Sequence, residues 1–551
     1  MKHRIEKTKK VPTYHVIQEI LNARYDKKEC ARKAALLKYS VASEVISQSL
    51  GTLFKITPHY KELLWGNLFP MSINDLGEGN YFFFKSESII GDFNWLYIQI
   101  SKYSKEIADY VEYRDNIEKS ILIGYYDDAI QMLDEVRKKY GVSIWYYETK
   151  LLIYSYSNKE EKSLELLTEI NKAKKETKHG FVTFLLSYLY KRSAKTYSAF
   201  AYDAELEKKF RVNRTRFQQY RYSYYLLRLN YYRTYQTQDL SPALIMEATN
   251  SLIDRYNMFL YVLKAKFANE KDYRNRNTLS SIAYKFYKKT ADKQLSPLVA
   301  YENISKVNIS YYNKEYIDVL EDYYMGEYTD CCEKCKRYIV SHSPSFDILK
   351  IYCRSIIALN RRYISPCTIN DCITNQITRW LYDAMTKSDN ENALNSLYQI
   401  NKNLYGLSIA NGLNYYLTDK INQSSETLKY LSLDCFDPLF CAIYNGDEDK
   451  SKYLDLGFKQ LGKYHVMNYQ YMRNEEKVTN VSGIVKYIID IDAAKIAFKQ
   501  QDNEKALLLW QTVLQENSTI LPIVQCAIDY IFKCYVNLDR KQEAITFFVD
   551  N

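Results

Sequence analysis

The chain has 551 residues and carries 76 Lys and Arg against 66 Asp and Glu, a net charge of +10, with only 15 Gly and 9 Pro beside 56 Tyr. Sandwiches, barrels, propellers and glycine-looped nucleotide folds need special turn residues at short intervals, and so few Gly and Pro cannot supply them. An apolar content of 47% with 15% aromatics excludes disorder, so an all-α protein of several domains or one extended array is expected.

No run approaches the ~18 uninterrupted apolar residues of a membrane span; the best candidate, Phe181 to Tyr190, is short and interrupted. No apolar region follows the charged start Met1-Lys2-His3-Arg4, and the 11 cysteines lack framework spacing, which fits reduced thiols in a cytoplasmic protein. The mild positive charge permits acidic partners without requiring them.

Residues 1–100 are expected to form a non-repeat helical cap. Pro12 to Gln48 reads as two helices. Trp65 to Asn94 holds the densest punctuation, with Pro70 and Gly77-Glu78-Gly79-Asn80 running into Tyr81-Phe82-Phe83-Phe84. That stretch is too apolar for a free linker and predicts a packed loop or short hairpin.

In residues 101–190 a repeat emerges. Gly124 marks a turn, Tyr126 follows it, small Ala129 stands where two helices touch, and Leu133 and Val136 supply apolar bulk. About 34 residues later the same order recurs as Asn158, Ser163, Leu167 and Ile170. The pattern resembles the tetratricopeptide repeat (TPR), with Ile117 and Leu151 where that family carries a small residue. The resemblance covers less than half of the chain and implies a TPR-like helical-repeat solenoid, an α-solenoid whose first helices line a partner-binding groove. Arg114, Glu118, Trp145, Glu148, Leu152 and Tyr156 would face that groove, and their aromatic and mixed-charge character suits a protein helix or loop. Trp145 and Tyr156 read equally well as core between repeats.

Residues 191–310 form a basic, aromatic helical segment. Leu240-Ser241-Pro242 and Leu295-Ser296-Pro297 look like helix starts, with Pro near the first turn. Lys208 to Arg233 contains no acidic residue. At heptad spacing Arg214, Arg221 and Arg228 make one stripe, and Phe217, Tyr224 and Tyr231 an adjacent one. Arginine forks grip phosphates and aromatic faces stack on bases, so the stripe is a candidate contact for RNA or DNA. The alternative is an aromatic seam packed on a neighbouring helix, with the arginines lying over its rings.

Residues 311–551 return to the repeat. Cys331 and Cys335 follow Gly326-Glu327-Tyr328 at the small and large positions, with Pro344 as a stop. Ser388, Ala393, Leu397 and Ile400 form another unit, and Ala506, Trp510 and Val513 a third, echoed by Ala544 and Phe548. Cys332-x2-Cys335 and Cys367-x4-Cys372 could pinch zinc, but free Cys is also a common small core residue, and core is the reading preferred. Arg337 and His342 resemble the short-spaced arginine and histidine of HEPN-type ribonucleases, in which the pair would activate a 2′-hydroxyl; His342 otherwise reads as a solvated residue near a helix C-terminus. Asp490-x-Asp492 lacks a third carboxylate. No phosphate loop, nucleophile elbow or His-Glu-x-x-His run occurs, so neither cofactor nor metal is expected.

The expected function is a non-catalytic protein-binding scaffold or sensor/adaptor subunit. Nucleic-acid binding through the arginine stripe and a HEPN-like nuclease are the alternatives. The abundance of Lys, Asn, Ile and Tyr suits an A/T-rich bacterial gene, for which a multi-component phage-defence system is one setting.

Overall fold

The computed structural model describes residues 13–76, 89–421 and 491–550, apart from 24–25, 41–42, 177–180, 195–196, 211–215, 231–239, 270–272, 296–297, 299–313, 326, 388–390, 405, 492, 495–496, 499 and 517–520. The protein is all-α: no strand occurs among the described residues. Among the described residues no helix is long and apolar enough to cross a membrane. The helices divide into two compact units, Met1–Leu298 with Asp371–Ile373 and Asn395–Leu431, and Val299–Asn370 with Thr374–Leu394 and Ser432–Asn551.

The first unit begins with α1 (Thr13–Asn22), α2 (Lys27–Ser40), α3 (Ser43–Ile56) and α4 (His59–Trp65). Three helices thus start between Pro12 and Gln48, where two were expected. After Trp65 the chain makes a short turn at Ile73–Asp75, closed by mutual capping of Ser72 and Asp75. The Gly77 to Ser88 part of the expected hairpin lies outside the described residues. Next come α5 (Ile89–Ser101), α6 (Ser104–Ile123), α7 (Tyr126–Tyr140), α8 (Ile144–Tyr156), α9 (Glu160–Glu176) and α10 (Phe181–Ser193). They are followed by α11 (Ala199–Phe210), α12 (Arg216–Asn230), α13 (Ser241–Glu247), α14 (Leu252–Asn269) and α15 (Tyr273–Thr290). Pro242 sits in the first turn of α13, as its sequence suggests.

The local chemistry of α6 to α9 explains their lengths. Gly124 closes α6, and α7 opens on Asp127 and Asp128 and ends on Arg137, Lys138 and Lys139, each set opposing the helix dipole at its end. Ser143 caps α8 by accepting from Tyr146 N. Asn158 takes φ 57° at the α8–α9 turn, a conformation asparagine tolerates better than most residues. Ala129, Leu133 and Val136 are fully buried. In the next pair Ile170 is buried, but Leu166 is more buried than the expected Leu167, which is half-exposed. Ile117 and Leu151 are also fully buried.

The second unit holds α16 (Lys314–Met325), α17 (Tyr328–Ser341), α18 (Phe346–Ala358) and α19 (Ile373–Thr386, from Thr374 onward). The chain then enters α20 (Glu391–Asn403), whose residues from Asn395 return to the first unit with α21 (Ile409–Ile421). The second unit ends with α22 (Asn503–Glu516), α23 (Leu521–Asn537) and α24 (Lys541–Asp550). Cys331, Cys335, Ala393, Leu397, Ile400, Ala506, Trp510, Val513 and Ala544 are all buried where the pattern wants core.

Candidate functional site

The six residues expected to line a groove lie on α6 and α8, and that face is covered by the chain itself. Arg114 grips Asp292 with two hydrogen bonds of 3.0 and 2.9 Å, and Tyr256 donates to the same carboxylate at 2.6 Å. Burial alone would raise the Asp292 carboxyl, but the Arg114 charge and these donors hold it below the ordinary range. The Trp145 ring meets Tyr110 edge-on at 5.1 Å. Asp254, on α14, caps α8 by accepting from Ile144 N and Trp145 N at 2.9 and 3.0 Å. Leu152 is buried.

Lower on the same face, Glu148 pairs with Arg192 of α10. Glu118 Oε2 accepts from the hydroxyl and amide of Ser408 at 2.6 and 3.2 Å. Asn403 hydrogen-bonds the Tyr156 hydroxyl. The expectation of an open groove is therefore corrected: Arg114, Glu118, Trp145, Glu148 and Leu152 are buried, and Arg114, Glu118, Trp145, Glu148 and Tyr156 are engaged by Asp292, Ser408, Asp254, Arg192 and Asn403 in turn. Asp292 and Arg192 meet the charges of Arg114 and Glu148, and Ser408 donates to one oxygen of Glu118, where a solvent groove would have left all three charges to water.

The arginine and aromatic stripe is corrected in the same sense where it is described. Tyr224 is fully buried and donates to Glu247 at 2.8 Å, and Arg228 donates to Glu247 and Asp254 at 2.7 and 3.4 Å. Burial pushes the Glu247 carboxyl up, opposed by Arg228. Arg228 is buried with its charge met by two carboxylates, and is not presented on a surface where a phosphate would meet it. Arg214 and Tyr231 lie outside the described residues, as do the side chains of Phe217 and Arg221.

Arg337 is exposed on α17, whereas His342 is the extended residue that ends that helix. The His342 ring stacks on Tyr338 at 4.6 Å and faces Glu315 at 3.5 Å. None of these contacts of the imidazole involves Arg337. Cys331, Cys332, Cys335, Cys367 and Cys372 are all buried in the core. Cys331 donates to Val319 O and accepts from Ser355, and burial lifts the Cys332 thiol to about 11. Among the described residues no group of three or more His, Cys, Asp or Glu could hold a metal ion. Gly326 and Asp490-x-Asp492 lie at least partly outside them.

One further feature concerns α23 and α24. Phe548 occupies the large position of the repeat pattern, where Leu133, Cys335, Leu397 and Trp510 are fully buried, yet it is 67% exposed. Ile545 and Val549 share its helix face and are exposed too. Phe532 and Val536 on α23, likewise exposed, continue the patch, with the Phe532 and Phe548 rings 5.9 Å apart.

Comparison with family models, curated proteins and solved structures finds no match.

Asp254, Asp292, Arg192, Gly406 and Ser408 are the residues that sequence reasoning missed. Each acts on a partner more than 40 residues away, from 44 for Arg192 and Glu148 to 290 for Ser408 and Glu118. Helix periodicity reports neighbours within two turns and carries no such signal. Only Gly406, one of few glycines in an apolar stretch, marks its position as a turn.

Proposed function

We propose that the protein is a non-catalytic scaffold or adaptor built on TPR-like helical pairs, and that it binds a partner protein through the exposed face of α23 and α24. The observation that supports this reading is Phe548, an apolar side chain at a core position of the pattern that the described residues leave 67% exposed. The occupant is an amphipathic helix of the partner. At the corresponding position one pair earlier, Trp510 is covered by the helix that follows, with its ring stacked on Tyr530 at 4.6 Å. A helix supplied by another protein would complete the same packing on Phe532, Val536, Ile545, Phe548 and Val549. Exposed Lys533, Lys541, Asp529 and Glu543 flank the patch, so the partner helix has a mixed-charge rim.

The test is affinity capture from the native host with wild-type protein and with Ile545→Asp/Phe548→Asp, followed by titration of the purified partner. Both residues are exposed, so the variant is expected to melt within about 2 °C of wild type while its affinity falls at least about tenfold, roughly 1.4 kcal/mol. Equal affinity for both proteins rejects the site. Recovery of the bare monomer, or of nucleic acid released by salt, rejects the scaffold reading itself.

A further inference from the structure

The last turns of α20 and the connection to α21 belong to the first unit and lie against α6, α8 and α11. Tyr398 donates to Asp203 and its ring stacks on Phe200 at 4.9 Å. Gln399 accepts from Ala199 N at 2.6 Å and donates to Tyr197 O at 3.1 Å. The Lys402 ammonium donates to the carbonyls of Ala194 and Tyr197. At Gly406 the chain turns with φ +94°, a conformation that strains any side chain, and a β-carbon there would stand 3.6 Å from the Glu148 carboxylate. Ser408 then delivers its hydroxyl and amide to Glu118. Leu404, Leu407 and Ile409 are buried between these polar anchors.

This seat is a well-placed but poorly satisfied one. Glu118 Oε1, both polar atoms of the Asn401 side chain and Asn403 Oδ1 have no hydrogen-bond partner, although all three side chains are more than nine-tenths buried. Buried polar atoms without partners raise the free energy of the closed state, and water or another ligand would satisfy them once the segment lifts. Such a segment belongs to the part of a fold that opens locally before the core does.

We propose that Asn401–Ile409 is a detachable strap, an intramolecular occupant of the α6–α8 face whose place is taken by a partner segment of the same chemistry: a lysine, then a small residue, then a hydroxyl. The face keeps its recognition groups, the Ala194 and Tyr197 carbonyls for the lysine, Glu118 for the hydroxyl and Tyr156 beside Asn403, and the strap masks them until a competitor arrives. This inference goes beyond the proposed α23–α24 site, because it concerns the first unit and would stand if that site bound nothing.

Hydrogen exchange on the full-length protein tests it, together with a labelled peptide spanning residues 401–411 of this sequence. In the wild-type protein the strap amides are expected to exchange at least tenfold faster than those of α8. Ser408→Ala should speed them further without changing α8. The peptide should bind Gly406→Val, whose strap cannot seat, at least tenfold more tightly than wild type. If Gly406→Val does not fold, Ser408→Ala/Lys402→Met replaces it, since both changes lie in the strap and remove its anchors without adding bulk. Strap amides that open only together with α8, or a peptide that binds no loosened variant better than wild type, overturn the proposal.

Discussion

At the scale of single residues the first unit depends on ion pairs that water cannot reach. Arg114 and Asp292 are both buried, so removing Arg114 leaves a buried carboxylate without its cation, whereas removing Asp292 leaves Arg114 only Asp115. Arg114→Met is expected to cost about 3–5 kcal/mol, and Arg114→Met with Asp292→Leu distinctly less, because the double change removes both charges. A denaturant double-mutant cycle measures the difference, and additive losses would refute the pairing. The strap anchors respond to pH with opposite signs. Burial raises the Glu118 carboxyl from 4.5 to about 7 against Arg114, with Asp115 adding to the rise and Ser408 opposing it. Burial also lowers the Lys402 ammonium from 10.5 to about 8, with Arg192 adding to the fall and Asp203 opposing it. A raised carboxyl stabilises the closed strap fully below pH 4.5, and that contribution is lost as pH climbs to about 7. A lowered ammonium stabilises it fully above pH 10.5, and that contribution is lost as pH drops to about 8. The strap should therefore be held most weakly between pH 7 and 8, as read by hydrogen exchange corrected for intrinsic rates. Glu118→Gln should flatten the acid arm and Lys402→Met the alkaline arm; a monotonic profile in wild type contradicts the assignment.

Among the elements, the helix pairs were legible because their causes are local. Gly124, Ala129, Leu133 and Val136 describe a turn and a packed helix within a dozen or so residues, and the structure places each as its type suggests. The cover on the α6–α8 face was not legible. Arg114 and Glu118 on a helix face read alike whether water or Asp292 and Ser408 lie opposite, since spacing along one helix says nothing of a partner far off in the chain. Glycine usage gave a similar half-answer. Gly141, at the end of α7, was one of a scarce set whose specific demand only the fold reveals. It holds φ +77°, a β-carbon there would come within 2.2 Å of Pro70 O, and Val142 N donates to that same carbonyl at 2.6 Å. A backbone carbonyl cannot swing aside as a side-chain end can. Gly141→Ala is expected to cost about 2–4 kcal/mol, combining left-handed strain with displacement of the Phe69–Pro70 backbone. Thermal melting should fall by roughly 5–10 °C, and a change under about 2 °C would show that the turn yields freely.

For the molecule as a whole, the shortage of Gly and Pro selects helices, while stability comes from segments remote in the chain folding into one unit. Residues 1–298 hold most of the first unit, yet Asn395–Leu431 belongs to it as well. That segment contributes Tyr398 to Asp203, Lys402 to two carbonyls and Ser408 to Glu118, and buries Leu404, Leu407, Leu413 and Leu417. A fragment ending at Leu298 exposes the apolar surface beneath those leucines and leaves Glu118 and Asp203 without these donors. Each lost polar contact is worth about 1 kcal/mol and each unburied leucine about 1.5–3 kcal/mol, against a total stability of roughly 5–15 kcal/mol for an ordinary domain. The sum approaches the whole of that stability, even with the strap itself held loosely at Asn401–Ile409, because α21 carries two of the four leucines. The fragment 1–298 is therefore expected to be helical by circular dichroism but to lack a cooperative melt and to be cut by protease at low dose. The full chain should resist the same dose. A fragment that melts cooperatively within a few degrees of the full chain would show that the first unit is complete without its returning segment.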